Sequence, residues 1–214
     1  MGKLIDSLLL GSSGRIGRLV VVNIPGNEIL RSRPRKKLKE FTARQLLIQA
    51  RMRKSYHFLL SYKEFAKVHF GQRTGMKSCY NQALSNVLNT FKLDYVLNEV
   101  TPVYSEIEFA RGSLRSIVPT GLTSPLPLSM NLTWYENSGG DPLRKTDEVQ
   151  LLFIAEGELK PVFIENIALR LDTTVDIPLS PHFQGKTVHV WLAFRSADCS
   201  QVSSSSYAGS VIIT

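Results

Sequence analysis

The sequence predicts a mixed fold: an α+β unit of a hairpin and two helices over residues 1–100, then an all-β sandwich over residues 101–214. Three observations predict it. A β-branched run and two stretches of helical periodicity occupy the first hundred residues, seven short apolar segments separated by turn residues occupy the remainder, and charge is divided unequally between the two parts. The chain of 214 residues is 43% hydrophobic, enough to bury a real core, with 9% aromatic and 21% charged residues. A disordered or low-complexity chain is excluded on that composition.

The first elements are strands. Arg15 to Asn23 is rich in β-branched residues and Glu28 to Arg33 alternates, with Pro25-Gly26-Asn27 between them, so the two read as a hairpin. Gly11, Gly14 and Gly17 recur every three residues, but no G-K-[ST] follows and no G-x-G-x-x-G sits between a strand and a helix. They are read as turn or close-packing positions rather than a phosphate cradle.

Thr42-Ala43-Arg44-Gln45 has the form of a capping box and opens a helix to about Leu60. Ile48, Met52, Tyr56 and Leu59, with Leu60 beside them, are expected on its buried stripe, and Arg44, Arg51 and Lys54 are expected to point away from it. Tyr62 to Phe70 has no clear period. A second helix follows, with Tyr80, Leu84, Val87, Leu88 and Phe91 at i, i+4, i+7, i+8, i+11 and Asn81, Ser85 and Asn89 on other faces. Tyr56, Phe58, Phe65 and Phe70 are assigned to the core rather than to base stacking.

From residue 101 the period becomes that of strands. Ser105 to Phe109, Ser129 to Tyr135, Glu148 to Glu156, Pro161 to Glu165, Thr173 to Leu179, Thr187 to Arg195 and Tyr207 to Thr214 are separated by Gly, Pro, Asn, Asp and Ser clusters. Trp134, the Ile177-Pro178-Leu179 segment and the alternation of Val188, Val190 and Leu192 resemble, in order, the core anchors of immunoglobulin and fibronectin type III modules, without their disulfide. Cys79 and Cys199 are expected as two reduced, partly buried thiols.

Charge carries what functional signal there is. Residues 1–77 hold 17 Lys and Arg against four acids, a net +13, whereas residues 101–214 hold eight basic and twelve acidic residues, a net −4. The densest run, Arg31-Ser32-Arg33-Pro34-Arg35-Lys36-Lys37-Leu38-Lys39, has six cations in nine residues. Such a run repels itself and stays solvated unless something anionic meets it. Nucleic acid, an anionic membrane surface or an acidic protein face would each serve. Arg31, Arg33, Arg35, Lys36, Lys37 and Lys39 are therefore the candidate polyanion contacts, with Arg44, Arg51 and Lys54 continuing the track along the first helix. The alternative is a solvated linker.

Catalytic signatures are missing from the sequence. It has no G-x-S-x-G, H-E-x-x-H or Walker pattern, and His57, His69, His182 and His189 are too far apart to form a local metal motif. His189, between Val188 and Val190, is expected to face outward. Glu106 and Glu108 are expected on one strand face as solvated edge charges. Neither catalytic residues, nor metal ligands, nor a cofactor site are assigned, and the protein is expected not to be an enzyme. No apolar run approaches the about 18 residues of a membrane span. The Leu8-Leu9-Leu10 stretch lies between Asp6 and the basic Arg15 and Arg18, unlike a signal peptide, so a cytoplasmic or virion-associated location is expected.

Gly2-Lys3, Gly11-Ser12-Ser13-Gly14-Arg15-Ile16-Gly17, Ile29-Leu30-Arg31-Ser32-Arg33-Pro34, Thr42-x-x-Gln45, Gln49-x-Arg51 and the Val188 to Phe194 segment occur in an order that resembles a bacterial family of about this length known only as a domain of unknown function. The resemblance spans nearly the whole chain. It implies a bacterial or phage origin and no activity, and no functional residue is carried over. The family's aromatic before the hairpin turn is absent here, where Asn23-Ile24-Pro25 stands. The sequence thus points to a non-catalytic binding protein, its basic N-terminal unit engaging a polyanion, foremost nucleic acid, and its sandwich making protein contacts or self-assembling. The alternative is a structural subunit of a virion, fibre or surface layer.

Overall fold

The computed structural model describes residues 2–5, 9, 11–24, 27–33 and 40–214. The chain opens with a four-stranded antiparallel sheet, in which β1 (Gly2–Lys3), β2 (Gly14–Ile16), β3 (Leu19–Ile24) and β4 (Asn27–Ser32) lie in the order β1-β4-β3-β2. The segment read as one strand from Arg15 is two, because Gly17 takes φ +57° and lets the chain turn back between Ile16 and Leu19, which face each other. β3 and β4 pair as expected, from Leu19 opposite Ser32 to Ile24 opposite Asn27. Pro25 and Gly26, assigned to that turn, lie outside the described residues.

Next come α1 (Ala43–Leu60), α2 (Lys63–Val68) and α3 (Cys79–Thr90), followed by a hairpin of β5 (Phe91–Asp94) and β6 (Glu99–Pro102). The capping box forms: the Gln45 backbone N–H donates to Thr42 Oγ1 at 3.3 Å, and the Thr42 N–H donates to Gln45 Oε1 at 3.0 Å. Of the stripe expected on α1, Leu59 is buried and the others are not. Leu47, Ser55, Phe58 and Leu59 are buried, whereas Ile48, Met52, Tyr56 and Leu60 are all exposed. Apolar residues occur on both sides of this helix, so periodicity alone does not decide which side faces the core. Phe58, Phe65 and Phe70 are core residues as assigned; Tyr56 is not.

The remaining strands are β7 (Pro119–Thr123), β8 (Ser129–Trp134), β9 (Glu148–Ala155), β10 (Val162–Ile164), β11 (Thr174–Pro178), β12 (Thr187–Arg195) and β13 (Ser206–Ile212), with one helical turn, α4 (Pro142–Lys145), before β9. They form a three-stranded sheet, β11-β8-β7, facing a four-stranded sheet, β10-β9-β12-β13. Six of the seven expected strands are present. The exception is Ser105 to Phe109, where Tyr104–Glu106 is a 3₁₀ turn, and the seventh strand of the sandwich is β7. Glu106 and Glu108 accordingly share no strand face: Glu106 pairs with Lys92 at 3.0 Å and Glu108 with Arg111 at 2.6 Å. Cys79 is half-buried and Cys199 exposed, and both are free.

Two cores flank the β10-β9-β12-β13 sheet. On its inner face Val149, Leu151 and Phe153 of β9 and Val188, Val190, Leu192 and Phe194 of β12 meet Met130, Leu132 and Trp134 of β8. On its outer face Leu152, Ile154, Trp191 and Ala193 join Phe58, Leu59, Tyr62, Phe65, Val87 and Phe91 from the helical segment. Edge-on ring contacts tie the layers: Phe58 lies 5.9 Å from Phe91 and 6.1 Å from Trp191, whose indole N–H donates to the Tyr104 carbonyl at 3.1 Å. His189 follows the same outer face and is half-buried rather than pointing outward, stacked 3.8 Å from the Tyr104 ring with Nδ1 2.7 Å from Tyr207 Oη.

At one end of the sandwich Arg170 is enclosed. Its guanidinium pairs with Asp147 at 2.9 Å, donates to Asn137 Oδ1 and the Arg115 carbonyl, and lies 3.9 Å over the Phe194 ring. Burial pushes the Asp147 carboxyl up and the Arg170 guanidinium down, opposing the attraction between them. Desolvation is therefore offset only while both partners are present. Asp147→Asn is expected to cost about 3–5 kcal/mol in urea unfolding, since it strands a buried cation.

Phe58→Ala is expected to cost about 3–5 kcal/mol. Because Phe58 joins the helices to the sheet, far-ultraviolet helix signal and Trp191 fluorescence are expected to be lost in one shared transition. Burial also holds His69 and His189 below the ordinary imidazole pKa of about 6.5. Both take up a proton more readily when unfolded, so their contribution to stability is complete above about pH 6.5 and declines as pH falls toward their folded values. The urea midpoint should drop on acidification over that window, with a shallower slope in a His69→Asn/His189→Asn double variant.

Candidate nucleic-acid interface

The register of the N-terminal sheet sets which side chains share a face. Arg15 of β2 is opposite Val20 of β3, and Val20 is opposite Arg31 of β4, so the three stand in one row across the sheet. Val22, Ile29 and Lys3 form the next row of the same face. Arg33 continues it beyond the end of β4, its N–H donating to the Arg18 carbonyl at 2.8 Å. Lys3, Arg15, Arg18, Arg31 and Arg33 are all exposed, while Val20, Val22 and Ile29 between them are half-buried.

Glu28 occupies the alternate register position, on the opposite face, where it accepts from the Gly11 N–H at 2.9 Å. That same face carries Val21, which is 2% exposed. The sheet therefore separates its charges: a carboxylate on the face with the buried valine, guanidinium groups on the other. Among the described residues before residue 78, the one ion pair joins Lys67 to Glu64 at 2.7 Å. The acids of the C-terminal part are paired mainly with their own neighbours, Arg195 with Glu148 and Glu165, and Lys186 with Glu158.

Of the sequence-assigned contacts, Arg31 and Arg33 belong to this face, and Arg35, Lys36, Lys37 and Lys39 lie outside the described residues. Arg44, Arg51 and Lys54 do not continue it on an open helix face. Arg44 is exposed but lies 5.6 Å from the centre of the Tyr95 ring, beside the β5–β6 hairpin. Arg51 is half-buried with its Nε enclosed and unbonded, and Lys54 donates to the Val100 carbonyl of β6 at 3.2 Å. The helix turns Arg44 and Lys54 toward the hairpin because its core face is the Leu47–Phe58 side. Lys3, Arg15 and Arg18 are additions that the sequence reading passed over. The signal for them was alternation: Arg15 and Arg31 fall on one face only once the hairpin register is fixed.

No curated protein matches the chain. Among solved structures it is similar to the fibronectin type III domain of the human collagen alpha-1(XX) chain, with 19% identity, a TM-score of 0.36, and coverage of 47% of this chain and 88% of that one. That likeness is too slight to carry an argument, and the sandwich rests on its own strand order. The match that extends along most of the chain, residues 11–209, is to DUF6266, described as a family of unknown function, and the chain belongs to that family.

Proposed function

We propose that the protein is a non-catalytic binding protein whose N-terminal sheet engages a polyanion, foremost nucleic acid, with its fibronectin type III-like sandwich making protein contacts in a cytoplasmic or virion-associated setting. The observation that carries this reading is the row Arg15–Val20–Arg31, with Lys3, Arg18 and Arg33 around it, unpaired with any described carboxylate and turned away from Glu28. Uncompensated guanidinium groups on one face of a sheet suit phosphate oxygens, which they contact without reading sequence. The adjoining run Arg35, Lys36, Lys37 and Lys39 would lengthen the same contact.

If about five phosphates are neutralised, affinity for duplex DNA is expected to fall roughly 500-fold between 50 and 200 mM salt. Fluorescence anisotropy of the full chain with labelled duplex and single-stranded oligonucleotides reads this directly. Arg15→Glu and Arg31→Glu are each expected to weaken binding at least about tenfold and to flatten the salt dependence. Absence of any salt-dependent complex removes the proposal.

A structural-subunit reading draws on a different observation, the exposed Ile48, Met52, Tyr56 and Leu60 along α1. Light scattering at high concentration distinguishes the two: a strict monomer counts against assembly.

A further inference from the structure

Lys54, displaced from the basic track, opens onto a cleft of about 340 Å³ between α1, the β5–β6 hairpin and the turn that follows β9. This volume is at the lower end of those that hold small molecules. Its floor is apolar, formed by Phe58, Phe91, Val100 and Ile154, each at most 5% exposed. Its polar edge holds Lys54 on one element and Glu156 on another.

The two charges are not consumed by each other or by a neighbour. No ion pair joins either of them to a described residue, whereas Glu158, on the same rim, is already taken by Lys186 at 2.9 Å and by His182. The Lys54 ammonium spends one of its three protons on the Val100 carbonyl, leaving two, and a half-buried cation without a counterion is one that a ligand anion can relieve. The wall is held in place beforehand: the Tyr104 ring stacks on His189 and its carbonyl accepts from Trp191. A site ordered in advance loses less entropy on binding.

We infer that this cleft binds a small zwitterion with an apolar body, an α-amino acid with an aliphatic or aromatic side chain, its carboxylate on Lys54, its ammonium on Glu156 and its side chain on the Phe58–Phe91 floor. A ligand with one charge leaves the other protein group uncompensated, so both charges are required for selectivity. This site is separate from the basic face of the N-terminal sheet and does not depend on it.

The test is calorimetric titration of the full chain with L-phenylalanine and L-leucine, alongside 2-phenylethylamine, which lacks the carboxylate, and 3-phenylpropanoate, which lacks the amine. Saturable binding of an amino acid is expected, with each single-charge analogue at least about tenfold weaker. Lys54→Met should erase the preference over 2-phenylethylamine, and Glu156→Gln the preference over 3-phenylpropanoate. Glu156 is exposed, so its variant keeps the fold even if Lys54→Met does not. Arg15→Glu should leave amino-acid binding unchanged. No saturation by either amino acid up to about 10 mM, or binding indifferent to Glu156→Gln, overturns the inference.

Discussion

The β10-β9-β12-β13 sheet carries apolar side chains on both faces, and much of the molecule follows from that. β9 is buried from Val149 to Ala155, its residues alternating between the sandwich interior and the outer face. A sheet with one wet face would alternate polar and apolar residues; this one does not, and something must cover the second face. α1 and its neighbours do so, and Phe58 against Trp191 is the centre of the contact. The helical segment and the sandwich therefore share a core across residue 100, and the inner strands β9 and β12 hold both layers at once.

That requirement explains the fate of the helix cations. Covering the sheet obliges α1 to present Leu47, Phe58 and Leu59 inward, which carries Lys54 to the seam with the β5–β6 hairpin and leaves Ile48, Met52 and Tyr56 outside. The basic character of the N-terminal part is consequently divided between two settings. One is a strand face on which guanidinium groups are open to solvent. The other is a cleft in which an ammonium group is half-enclosed beside apolar rings. Equal formal charges do different chemistry in the two, because desolvation in the second makes a specific counterion more valuable than screening by salt.

Several features were legible in residue order alone. Thr42 and Gln45 close the cap they promised, the second helix runs from Cys79 to Thr90 against an expected start near Tyr80, and six strands fall where turn residues bracket them. The errors have physical causes. Ser105 to Phe109 alternates as a strand would, yet Tyr104–Glu106 winds into a 3₁₀ turn whose Tyr104 carbonyl serves Trp191, a partner 87 residues away. β7 was not among the expected strands; it contains Pro119 and Gly121, which weaken a strand signal, and as an outer strand of its sheet it tolerates both residues.

The sequence by itself determined the number and kind of most elements, the apolar segments that become β9 and β12, and the excess of cations before residue 78. These depend on local period and composition, which neighbours in the chain decide. Tertiary structure alone decided which side of α1 faces inward, that His189 is stacked rather than exposed, that Arg15 and Arg31 share a face with Glu28 turned away, and that Lys54 and Glu156 border one cleft. Each of those depends on strand register or on the choice between two apolar helix faces, and both are settled by contacts between residues far apart in the chain.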